Sequence, residues 1–260
     1  SWVIFWIALI FGILINISSY WYSDKIVLAI AKAKKIEKKD NPELYRIVEN
    51  LCITAGLPLP KVYVMEERQP NAFATGRNPE NAVIVVTQGL IDKLDRTELE
   101  GVISHELAHI GNKDMLLGTA IVVLVGIIVL MTDFFYRISF LGRGSRDRKS
   151  RGSLMGLVAL ILVVFAPLLA TLIRLAISRK REFLADGTGA LLTRYPEGLA
   201  RALEKISQDK NQLKVANNAT SHLYIINPFR GQERKSWLHK LFMTHPPVEE
   251  RVRALRGMKL

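Results

Sequence analysis

The sequence predicts an α+β protein, mainly helical, with a small antiparallel sheet, fused to transmembrane helices. Three observations carry this. The 260 residues are 49% hydrophobic and yet 23% charged, which is consistent when apolar residues are segregated into long runs. Short strand-like stretches sit together between residues 61 and 87, separated by turn residues. The remaining polar sequence repeats its apolar residues at helical spacing and carries helix-capping signals.

The apolar runs divide the chain. Trp2 to Ile17 is broken only by Gly12 and Asn16 and extends to Tyr22, giving a transmembrane helix over 1–22. The chain opens at serine in the middle of this run, as expected of a fragment lacking an upstream span. Met115–Tyr136 and Leu154–Ile177 predict a helical hairpin over 115–177, with a basic loop at 137–153. A run of 22 residues reaches roughly 33 Å as a helix, enough for a hydrocarbon core of about 30 Å. Tyr20, Trp21 and Tyr22, and then Phe134, Phe135 and Tyr136, stand where interfacial aromatics collect.

Two polar blocks remain, 23–114 and 178–260, read as two parts of one domain. The first opens with a helix capped by Asn41, begun by Pro42, faced by Leu44, Ile47, Val48 and Leu51, and ended at Gly56. Strands are expected at 61–66, 71–76 and 82–87. Asp95 caps the next helix, with Glu98 three residues on; that helix carries His105 and His109 to about Lys113. The second block predicts helices at 179–193, 196–208 and 246–256, the last begun by Pro246 and Pro247.

The formal net charge is +12. Its placement excludes a nucleic-acid groove, since no stretch interleaves aromatic and basic residues. Lys25, Lys32, Lys34, Lys35, Lys38 and Lys39 follow the first run, and Arg179, Lys180 and Arg181 follow the third, suited to anionic headgroups. The positive-inside rule puts the first cluster in the cytoplasm. The basic 137–153 loop then lies on the opposite face, against that rule. The lone Cys52 excludes an intramolecular disulfide and permits a reducing compartment.

The chemistry is concentrated in SHELAHIGNKD, Ser104–Asp114. His105 and His109 are four apart, so on a helix their rings share a face. Two such imidazoles can hold one Zn2+ per chain, with Glu106 beside the open position as general base. A catalytic zinc needs a third protein ligand, and Gly111 to Asp114 supply no third histidine. Glu182 is the best candidate. His109 lies six residues before Met115, about 9 Å of helix, and Glu182 five residues after Ile177, about 7.5 Å. Neighbouring membrane helices would therefore lift both to similar heights. Asp186, one turn on, could accept the far N–H of a ligand histidine. His222, His239 and His245 remain competing ligands.

SHELAHI, REFLAD, NAFATG and THPPVEERVRAL together resemble the membrane zinc metalloproteases of the HtpX type, relatives of the CAAX prenyl endopeptidases, from about Ile26 to Leu255. The resemblance implies a zincin-like catalytic domain, with His105, His109 and Glu182 as zinc ligands and Glu106 as base. It implies that Asn71, Ala72, Phe73 and Ala74 form an edge strand near the site, with Asn71 touching the substrate backbone. It also implies that His245 and Arg251 sit beside the metal, His245 stabilising the tetrahedral intermediate. The expected function is endopeptidase quality control of membrane or misfolded proteins at the cytoplasmic face of the cell (plasma or inner) membrane. The expected partners are those substrates and the lipid bilayer, with no nucleic acid and a homo-oligomer left open. The alternatives are a prenyl-protein-type protease, an intramembrane metalloprotease and a non-catalytic zinc-binding membrane adaptor.

Overall fold

A computed structural model describes residues 21, 25, 27–29, 31–114, 177–209, 225 and 245–259. The three runs expected to span a membrane fall outside these residues, apart from Trp21 and Ile177. No helix among the described residues is long and apolar enough to cross a membrane.

Helix α1, Pro42–Ala55, begins as its sequence dictates. The Asn41 side chain accepts from the Leu44 N–H, and Gly56 closes the helix in the left-handed region at φ 64°. It buries Leu44, Ile47, Val48 and Leu51 against the sheet and the central helix. Cys52 lies on the same face, and burial pushes its thiol up to about 11, leaving it inert at neutral pH.

The sheet contains β1 (Lys34–Lys35), β2 (Lys61–Met65), β3 (Ala72–Thr75) and β4 (Val83–Thr87), in the spatial order β1-β2-β4-β3. It is mixed, which corrects the antiparallel expectation. β1 and β3 pair antiparallel to their neighbours, but β2 and β4 run parallel. After β2 the chain crosses through Pro70 to the far edge, forms β3, and returns by a hairpin into the gap beside β2. The return must then run the same way as β2. All five residues of β4 are buried, as befits a central strand covered on both faces. The hairpin turns at Gly76, whose φ of 134° and 2.5 Å clearance to the Asn81 carbonyl admit no side chain.

One face of the sheet packs on the helices. The helices beyond α1 are α2 (Gln88–Lys93), α3 (Arg96–Gly111), α4 (177–193), α5 (Pro196–Ser207) and α6 (Val248–Arg256). Helix α3 lies centrally, with Val102, Ile103 and Leu107 fully buried. Its start carries the expected capping box between Asp95 and Glu98. Glu98 also receives Lys205 Nζ at 2.7 Å, tying α3 to α5. Residues from both polar blocks share this core. The other sheet face holds a smaller cluster of Met65, Phe73, Val83 and Val85, closed by Ala31 with Val27 and Leu28 against it. Trp21 stacks under the Arg77 guanidinium at 4.5 Å, joining the end of the first apolar run to the turn that leaves β3.

Candidate metal centre

Helix α3 presents His105 and His109 one turn apart, their ring centroids 4.6 Å from each other. Their Nε2 atoms are 3.1 Å apart. Glu182 on α4 completes the group, with Oε2 3.8 Å from His105 Nε2 and Oε1 3.5 Å from His109 Nε2. One ligand atom from each of the three lies within 4.8 Å of the others. The structure thus brings Glu182, the expected third ligand, to the two histidines. His245 joins the group from just before α6, its Nδ1 3.0 Å from Glu182 Oε2. His222 and His239 lie outside the described residues.

The helix carrying Glu182 approaches α3 closely because Gly189 has no side chain. A Cβ there would stand 2.9 Å from the His105 backbone nitrogen. Gly189 is seven residues from Glu182 and three from Asp186, on their face of α4. Sequence reasoning passed over it, although a glycine on the functional face of a helix was the available signal. Gly189→Ala should force the helices apart, lowering stability by about 1–3 kcal/mol and reducing zinc retention, as read by thermal melting and bound-metal assay.

Asp186 accepts from His105, Nδ1 to Oδ1 at 2.9 Å, as the spacing suggested. Arg251 clamps that carboxylate with Nε at 2.8 Å and Nη2 at 2.6 Å. Arg251 is 1% exposed and also reaches Glu182 Oε2 at 3.4 Å. Its Nη1 donates to the Ile225 carbonyl at 2.9 Å. The second ligand histidine has a partner that sequence reasoning missed: Asp114 Oδ2 lies 2.6 Å from His109 Nδ1.

Glu106 is 2% exposed, and the nearby Ala74 backbone N–H favours its ionised carboxylate. β3 is an edge strand, as expected. Asn71 and Phe73 turn their backbone groups to β4, which leaves those of Ala72 and Ala74 on the free edge. The Ile225 N–H donates to the Ala72 carbonyl there at 3.0 Å. Asn71 is buried at the start of the strand, with its Oδ1 3.1 Å from the Ala72 N–H. Phe73 departs from the expectation of substrate contact. Alternation along the strand turns its ring into the smaller core cluster, away from the metal ligands.

The electrostatics favour a cation. Burial would raise Glu182, but His245, His109 and Arg251 outweigh it and hold the carboxyl well below the usual range. Asp186 is likewise pushed down to about 2, chiefly by Arg251 against its burial. Burial lowers His105 and keeps it a neutral ligand. At His109 burial is opposed by Asp114, Glu182 and Glu106, which together favour positive charge at that ring. Glu182 Oε2 and both ring nitrogens of His245 are buried without an aligned hydrogen-bond partner. Such orphaned atoms beside two imidazoles fit a bound divalent metal.

Burial pushes Glu106 up from 4.5 to about 7, against the pull of His109. This has a consequence for the metal-free protein. A carboxyl whose folded value is raised favours folding below its unfolded value of about 4.5 and loses that advantage as pH rises through 7. Glu106→Gln cannot ionise. With metal chelated, it should melt above wild type at pH 8, by about 3 kcal/mol, and match it near pH 5.

Two imidazoles and a carboxylate converging on one point, with a second carboxylate poised near neutrality, equip this chain for metal-assisted hydrolysis, and comparison with known proteins sets it among the metalloproteases. The chain belongs to peptidase family M48, whose profile matches residues 38–259. The protein named Protease HtpX homolog from Dictyoglomus thermophilum is 47% identical over 252 residues, covering 97% of this chain and 81% of that protein. Its namesake from Thermococcus sibiricus is 49% identical over 252 residues, covering 96% and 85%. The HtpX-type resemblance read from the motifs therefore holds. The crystal structure of S. mikatae Ste24p superposes with a TM-score of 0.65 at 20% identity, over 96% of this chain and 58% of that one; this likeness concerns the fold.

Proposed function

We propose that this protein is a membrane-bound, zinc-dependent endopeptidase that cuts membrane or misfolded proteins at the cytoplasmic membrane surface. One observation carries the reading: Glu106, on α3 between the ligands His105 and His109, is within electrostatic reach of Glu182 and of the Ala74 backbone N–H on β3. The general base, the metal ligands and a peptide-pairing edge are thus adjacent.

When bound, zinc acidifies water and polarises the scissile carbonyl. Glu106 takes the proton of the attacking water and delivers it to the leaving nitrogen as the C–N bond breaks. His245, beside Glu182, is placed to donate to the oxygen that gains negative charge. Asp186, held by Arg251, fixes the His105 ring. An extended substrate adds to β3 through Ala72 and Ala74, with Asn71 at the strand's start, so recognition is mainly of backbone. Pairing at the Ala72 carbonyl requires the Ile225 N–H to give way. The apolar runs flanking the domain, together with the names of the relatives, support a membrane location and membrane substrates.

The test is cleavage of casein and of a membrane protein by the detergent-purified chain. Activity should vanish on chelation and return with added zinc. Cleavage that persists in full after metal removal would refute zinc dependence.

A further inference from the structure

The two ligand histidines are held by different parts of the chain. His105 leans on Asp186 and Arg251, both from within the helical core. His109 leans on Asp114, which stands immediately before the 115–176 stretch. Asp114 is 4% exposed, and its two oxygens face different groups. Oδ2 is 2.6 Å from His109 Nδ1, and Oδ1 is 2.9 Å from Arg181 Nε. Arg181 belongs to α4 and directly precedes the ligand Glu182. The contact is an ion pair whose N–H is not aligned on the oxygen.

The backbone leading to Asp114 is also unusual. Lys113 adopts φ 55°, a left-handed conformation that a residue with a side chain rarely takes and that carries strain. A helix continuing past Gly111 would carry residue 114 on along its axis. The left-handed residue instead turns Asp114 back against His109. A strained residue is retained where the surrounding contacts determine it, and here those contacts are the histidine and Arg181.

We infer that Asp114 is the positioning residue for the ligand His109, and that its pairing with Arg181 ties the end of α3 to α4, so that one carboxylate serves both the metal and that junction. The inference rests on the metal reading proposed above. A proton held between Nδ1 and Asp114 leaves the Nε2 lone pair directed at His105 Nε2 and Glu182, and it makes the ring a stronger ligand. Arg181 holds the carboxylate in place from α4.

Zinc affinity of the full detergent-purified chain, measured by competition with a chromophoric chelator, tests this beside thermal melting of the metal-free protein. Asp114→Asn is expected to weaken zinc binding about 10–100-fold, with little change in metal-free melting. The charge-swapped double variant, Asp114→Arg with Arg181→Asp, keeps an ion pair across the junction but sets a cation against His109. Its zinc affinity should stay as weak as that of Asp114→Asn or fall further. Wild-type affinity in Asp114→Asn would overturn the inference. So would wild-type affinity in the charge swap, since an ion pair between α3 and α4 would then suffice. Should Asp114→Asn fail to fold, Arg181→Gln is read instead, with a several-fold loss expected and no loss overturning the inference. Wild type that takes up no zinc would overturn the metal reading and this inference with it; zinc binding by wild type with unaltered variants would overturn only the inference.

Discussion

Glu106→Gln is expected to lower kcat/KM by roughly a thousandfold or more while one zinc remains bound per chain. Glutamine matches the shape of glutamate, and its carbonyl can still face the Ala74 N–H. The metal ligands are other residues, so the site should stay assembled. What is lost is the ability to take a proton from water and return it to the amine. Single-turnover cleavage of casein together with bound-zinc analysis checks both halves. A variant that keeps zinc and cuts at the wild-type rate would remove Glu106 from the mechanism.

Arg251→Met is expected to destabilise the protein by about 3–5 kcal/mol and to abolish activity. Arg251 is the largest fully buried side chain among the described residues, and its charge answers those of Asp186 and Glu182. Methionine fills much of the volume but leaves two buried carboxylates facing each other without a cation. Arg251 also anchors the Ile225 carbonyl, so the Ile225 contact with Ala72 of β3 loosens as well. Melting of the metal-free variant measures the structural loss. Arg251→Lys, which restores the charge without the two-pronged clamp on Asp186, should recover stability only in part. A melting curve unchanged in Arg251→Met would show that the buried charges are not coupled as the distances imply.

Local chemistry was legible where it was self-contained. The caps at Asn41 and Asp95, the glycine end at Gly56 and the His105–His109 pair all depend on residues within one turn of each other, and all stand as read. The motifs also led across the chain to Glu182, Asp186, His245 and Arg251, which do gather at one point. The sheet was misread because strand direction depends on where a strand ends up among its neighbours. The unbroken Val83–Val86 run signalled a central strand covered on both faces and was read as one member of an antiparallel sheet. Phe73 was grouped with the substrate strand by adjacency, although period-two alternation sends it to the other face. Asp114 was passed over as a flanking charge, because only the left-handed turn at Lys113 brings it back to His109. The two-residue β1 carries no pattern at all; Lys34 and Lys35 read as surface charge.

The residues that make the centre competent are spread along the chain, with His105 and Arg251 separated by 146 positions. A ribosome adding 5–20 residues each second needs roughly 7–30 s to cover that distance. During that interval the emerging polypeptide carries His105 and Glu106 but lacks Glu182, His245 and the Arg251 clamp. The order of the sequence therefore delays assembly of the whole group until almost the entire chain has been made, and makes its completion a late event of synthesis.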